Sequence, residues 1–257
     1  MNKIIKYTLT IFMVVAITVY LLMTFVFVAN KKQVVVCKNI NVIIDDNDEF
    51  TFFEPNDIKS ILLNSGEKII DEQIDNIDTY KLKQVLSRQH AIKSIKIYTT
   101  IDKTLNVEIK QRRPILRVQC NNARFYIDDS GYVFPFSPKP SLHIPIVTGT
   151  MPKSIASNYS GAIKENEKFL NELYEFAVFL QEDEFWNSMI AQININNNKI
   201  ELIPQIAAHV VILGSLENFK SRLDKLRKFY KYAMPTIGWE KYKTINIEYR
   251  NQIVCKK

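Results

Sequence analysis

The residues able to do chemistry are few and scattered. Asp129-Ser130-Gly131 follows Tyr126-Ile127-Asp128. An Asp-Ser-Gly loop can supply one half of a carboxylate pair that shares a proton. That chemistry needs a second copy, and the chain has none. Asp and Gly here sit where a hairpin turn wants them. Phosphate cradles need clustered glycines beside a helix N-terminus. The chain has 6 glycines, none in a G-x-G-x-x-G or G-x-x-x-x-G-K pattern. His90, His143 and His209 stand apart, and no H-E-x-x-H or G-x-S-x-G occurs. Cys37, Cys120 and Cys255 have no C-x-x-C spacing and no neighbouring histidine for a zinc site. They read as small apolar residues on strands, with one disulfide plus one thiol as the alternative in an oxidising compartment. The expectation is a protein that is not an enzyme, with no cofactor, no metal and no small-molecule substrate.

What remains is binding. Lys220, Arg222, Lys225, Arg227, Lys228 and Lys231 load one predicted helix with positive charge. This suits a patch for an anionic partner or, more plainly, a solvated face, since Glu217 and Asp224 are interspersed. The closing run Thr244–Cys255, TINIEYRNQIVC, reads as one long terminal strand. At a sheet edge its free N–H and C=O groups can template a strand from another chain.

These features are tied to a membrane. Tyr7 to Ala29 contains no charge, proline or glycine. As a helix it spans roughly 30–35 Å, enough to cross a bilayer core. It is longer than a signal-peptide core, and Phe27 spoils a small-x-small cleavage site, so it reads as a retained anchor. Lysines flank it on both sides, so charge hardly sets its orientation. The six-residue tail favours an N-terminus inside, because long C-terminal domains translocate largely regardless of charge. The formal net charge is +7, but Lys3, Lys6, Lys31 and Lys32 flank the anchor with no acid among them. The remaining excess is too small to suggest nucleic acid.

The rest has globular composition, 47% hydrophobic and 24% charged. Val34–Asp45 reads as a strand leaving the membrane, with a turn at Asn47-Asp48. Glu54-Pro55-Asn56-Asp57 opens a helix that Gly66 ends. A second helix runs from Asp78 to Gln89, with Asp78 or Thr79 as its N-cap. Ile92–Thr99 and Leu105–Lys110 form a hairpin around Ile101-Asp102-Lys103. The β-α-α-β-β order fills one small α+β domain. Pro114 makes Gln111–Val118 an exit or edge strand. The second half is hairpin-rich, with helices over Ala162–Gln181 and from Ser215 as N-cap, and with strands at His143–Val147, Ile193–Ile195, Ile200–Ile203 and Ala208–Leu213. Asn158-Tyr159-Ser160 fits a glycosylation sequon, relevant only in a eukaryotic secretory route.

In this order the pieces resemble the FtsQ/DivIB family of bacterial cell-division proteins. The resemblance rests on Arg113-Pro114-Ile115-Leu116-Arg117-Val118, on Phe125 to Phe134 (FYIDDSGYVF), on Ile144-Pro145-Ile146-Val147-Thr148-Gly149, and on Trp239-Glu240-Lys241-Tyr242 through Cys255. It implies an α+β chain: a cytoplasmic tail (1–6), a transmembrane helix (7–29), a POTRA-like domain (30–118) and a mainly antiparallel β-domain (119–257). It implies a scaffold in the bacterial inner membrane at the division septum, with the bulk of the chain periplasmic. It implies that early and late division proteins are linked by recruiting an FtsB- or DivIC-type coiled-coil protein with its FtsL-type mate, beside other divisome membrane proteins. The implied partner-binding residues are Tyr249, Arg250, Asn251, Gln252, Ile253 and Val254, acting by strand addition. Glu248 departs from the basic residue often found before that tyrosine. The rival expectation is a membrane-anchored POTRA-type chaperone or secretion accessory that handles extended polypeptides.

Overall fold

Two sheets of different size organise the chain behind its first helix. The computed structural model describes residues 3–30, 35–45, 51–100, 102–136, 143–155, 159–206 and 208–257. The turn expected at Asn47-Asp48, together with Ile101, Pro138, Pro140 and Asn158, lies outside them. Helix α1 (Lys3–Asn30) includes the whole apolar run. Its window Tyr7–Val26 is long and apolar enough to cross a membrane and has no residue buried against the protein. An all-round apolar surface of this kind suits lipid rather than a protein core.

The first module contains β1 (Asn39–Ile44), α2 (Pro55–Leu63), α3 (Thr79–Ser87), β2 (Ile92–Thr99) and β3 (Thr104–Gln111). Helix α2 begins as its sequence dictates. Glu54 caps it, Pro55 opens the first turn, and the Glu54 N–H donates to Asp57 Oδ2 at 3.0 Å. Asp78 caps α3 by accepting from the Lys81 N–H at 3.0 Å. The sheet order is β1-β3-β2, with β1 parallel and β2 antiparallel to β3. Ile58 and Leu62 of α2, Leu82 and Leu86 of α3, and Leu105 and Val107 of β3 close its core.

The second module begins at β4 (Pro114–Gln119) and continues with β5 (Arg124–Asp128), β6 (Tyr132–Pro135), β7 (Ile146–Gly149), β8 (Gly161–Ala162), α4 (Lys168–Glu182), α5 (Glu184–Met189), β9 (Ile190–Asn196), β10 (Lys199–Pro204), β11 (Val210–Gly214), α6 (Phe219–Tyr232), α7 (Met234–Ile237), β12 (Thr244–Asn246) and β13 (Val254–Lys256). Among the described residues these strands form one ten-stranded, mostly antiparallel sheet in the order β13-β12-β11-β10-β9-β7-β4-β5-β6-β8. The apolar faces of α4 (Leu173, Phe176) and α6 (Leu223, Leu226) cover it.

Several expectations need correction. Strand β4 is not an exit or edge strand of the first module. It lies inside the large sheet, between β5 and β7. Pro114 is tolerated because it stands at the first position of the strand. Helix α6 starts at Phe219 rather than after Ser215, because Asn218 takes a left-handed turn (φ 53) before it. Helix α4 starts at Lys168, six residues later than its apolar spacing suggested. The long closing strand is two short ones, as described below.

Candidate partner-binding edge

The last three strands form one end of the large sheet. Strand β12 lies parallel to β11, with Val211 opposite Ile245. Its inward side chain Ile245 and the next inward residue, Ile247, are completely buried. The chain then leaves the sheet. Asn246 Oδ1 accepts the Glu248 N–H at 2.9 Å, an Asx-type turn that ends the strand. The segment from Glu248 to Ile253 forms a bend, and β13 returns antiparallel to β12 with Cys255 opposite Ile245. Thr244–Cys255 is therefore a hairpin-like unit, not a single extended strand. The alternation of Ile245, Ile247 and Tyr249 holds only as far as Ile247.

The six residues expected to bind a partner divide into two groups. Tyr249, Arg250, Asn251 and Gln252 lie in the bend with exposed side chains; Ile253 is half-buried against the core. Val254 opens β13, exposed, at the outer end of the strand order. Among the described residues no strand pairs with the far side of β13. Burial raises the Cys255 thiol above its ordinary range, so this half-buried cysteine favours the protonated form. Cys37 and Cys120 are buried, and all three cysteines are free thiols.

Electrostatics fix this corner from beneath. Lys225 on α6 donates to the carbonyl oxygens of Ile247 and Gln252, both at 3.1 Å, and to that of Tyr249. Burial and the neighbouring Arg222 hold its ammonium below the usual lysine range. Arg222 itself donates to Leu213 O at 3.0 Å and Ser215 O at 2.8 Å. Glu248, the departure from the family pattern, meets Lys199 at 3.1 Å. Its Cγ would lie 2.8 Å from a Cβ at Gly214, so glycine there (φ +85) leaves room for that side chain.

The basic helix is thus partly accounted for inside the molecule. Arg222 and Lys225 hold backbone carbonyls, Arg227 pairs with Asp183, and Lys228 pairs with Asp224 at 2.7 Å. Pattern reading missed Lys225 and Lys199 as parts of this corner. No local signal marks them, because their acceptors lie far along the chain.

The other candidates take structural places. Asp128 is a turn organiser: its Oδ1 accepts the N–H groups of Ser130 and Tyr132, both at 2.9 Å. Asp129 pairs with Lys93 at 2.8 Å. His209 is buried and lies 2.6 Å from the Tyr230 hydroxyl. Among the described residues no group of three His, Cys, Asp or Glu side chains could hold a metal ion.

Comparison with known proteins agrees with this architecture. A family model described as "FtsQ/DivIB, C-terminal related" matches residues 113–256, and one described as "POTRA-like domain" matches residues 35–110. The chain is similar to the "Cell division protein FtsQ" of Geotalea daltonii, at 25% identity over 171 residues. That match covers 65% of this chain but only 58% of the relative. The two matched regions follow the two sheets, and the first family's model covers more than half of the sequence, so the chain belongs to the FtsQ/DivIB family of cell-division proteins.

Proposed function

We propose that this protein is a non-enzymatic division scaffold, held in the inner membrane by Tyr7–Ala29 with its N-terminus cytoplasmic and its two modules outside, at the septum. It recruits an FtsB- or DivIC-type coiled-coil protein and its FtsL-type mate, and so joins early to late division proteins. The observation that supports this reading is the position of β13 at the end of the large sheet. An extended partner segment adds to β13 through its backbone, while the exposed side chains of Tyr249 to Gln252 discriminate among partners. Three residues of strand offer little pairing by themselves. A partner anchored in the same membrane gains effective concentration, so a modest interface suffices.

Site-specific photo-crosslinking in dividing cells tests this. A photoreactive side chain at Tyr249 or Val254 should capture the coiled-coil protein, and one at Tyr80, an exposed residue of α3, should not. Equal capture from all three positions, or capture from Tyr80 alone, would remove the assignment.

A further inference from the structure

The bend that carries Tyr249 to Gln252 has few ladder bonds of its own. Apart from the Ile247 N–H, which donates to Ile212 O at 3.0 Å, its backbone leaves the sheet until Val254. Yet three of its carbonyls converge on one side chain from another element. Lys225 Nζ accepts nothing and has three N–H donors. It aims them at Ile247 O, Tyr249 O and Gln252 O, residues spread across the whole bend. We infer that Lys225 is a positioning residue for the partner edge: its ammonium fixes the bend, and the bend fixes the register in which β13 is offered.

This inference rests on the scaffold reading above and gives the site an internal division of labour. Turning the Tyr249 and Gln252 carbonyls inward toward Lys225 commits that part of the bend's backbone to its own protein. Recognition there falls to side chains, and Tyr249 is 48% exposed. Backbone pairing is left to β13, which has no such clamp. Preorganisation of this kind reduces the ordering cost paid on binding. The geometry calls for a long, flexible cationic donor at this position. Arg222, one turn away, is already committed to Leu213 O and Ser215 O, so it does not replace Lys225.

The test uses the full-length protein in nanodiscs. Lys225→Met keeps the stem and removes the donors; Lys225→Gln keeps one short amide; Lys225→Arg keeps the charge. Amide hydrogen exchange is followed without partner, and capture of a co-purified FtsB- or DivIC-type protein is measured separately. Bonds from a charged donor are among the stronger ones, so Lys225→Met and Lys225→Gln should speed exchange at Gln252–Cys255 by about tenfold or more. Exchange in β9 and β10 should stay as in wild type, which reports that the β-domain is folded. Capture should fall in the same two variants, and Lys225→Arg should restore much of both readouts. Unchanged exchange at Gln252–Cys255 in both neutral variants would overturn the clamp, whatever the partner does. Faster exchange with undiminished capture would leave the clamp standing and overturn the docking assignment of the bend.

Discussion

Arg112 and Asp128 meet across the junction of the two modules. A guanidinium NH1 lies 2.8 Å from Oδ2 of a carboxylate whose side chain is wholly buried. Arg112 also donates through Nε to His90 O at 3.0 Å and lies over the Tyr132 ring, 3.5 Å from its centroid. The other oxygen of Asp128 is filled by the Ser130 and Tyr132 N–H groups and the Ser130 hydroxyl. One carboxylate therefore binds the end of the first module to the β5–β6 turn of the second. Removing either partner leaves a buried charge unmatched. Asp128→Ala should cost about 3–5 kcal/mol, read as a lowered midpoint in chemical unfolding. Arg112→Ala should cost a comparable amount for the same reason.

An aromatic cluster backs that ion pair. Phe52, from the loop before α2, meets the rings of Tyr126 and Phe134 edge-on at 5.7 and 5.8 Å. Gln111 Oε1 accepts the N–H groups of Phe52 and Phe53, each at 2.9 Å. The two modules thus share a small core. Phe52→Ala should broaden the distance distribution between spin labels placed on α3 and on α4. A distribution as narrow as wild type would show that the ion pair alone sets the angle.

Gly149 closes β7 at φ +89, and a Cβ there would sit 2.1 Å from the Ile195 carbonyl oxygen. The β7 and β9 backbones can approach only because this side chain is missing. Gly149→Ala adds both a clash and strain in a left-handed conformation. It should cost about 1–3 kcal/mol or more in stability, measured by denaturant unfolding.

His209 gives a pH signature. Burial lowers its pKa from 6.5, so the folded chain keeps the ring neutral, bonded to the Tyr230 hydroxyl at 2.6 Å. The unfolded chain gains a proton as pH falls through its ordinary value near 6.5, whereas the folded chain does not. This contribution to stability is therefore complete above that value and declines as pH falls toward the lowered folded one. Melting temperatures between pH 8 and pH 5 should fall less steeply in His209→Gln than in wild type.

Much of the architecture was legible because local chemistry and tertiary demand agree. Pro55 with Asp57, and Asp78 before Thr79, mark helix starts that the structure keeps. Leu173, Phe176, Ala177 and Leu180 mark a helix face that is buried as spaced. The closing run departs from the single strand its β-branched pattern predicts because contacts from elsewhere interrupt it. Asn246 turns the backbone through its own side chain, and Lys225, distant in sequence, collects the carbonyls that a continuous strand would have used. The start of α6 was misplaced because Ser215 has the residue type of a cap, whereas the left-handed Asn218 provides the turn. In the candidate site, neither the bend at Tyr249 nor its Lys225 clamp was legible, since both depend on contacts made after the chain leaves β12.

The proposed scaffold role requires β13 to accept a strand, and amide exchange of Val254, Cys255 and Lys256, followed with and without the FtsB- or DivIC-type partner in nanodiscs, reads that pairing. New backbone pairing should slow exchange at outward-facing amides of β13, while β4 and β5, interior to the same sheet, stay unchanged. Saturating partner that leaves all three amides at their free rates, with slowing confined to another surface, would contradict it.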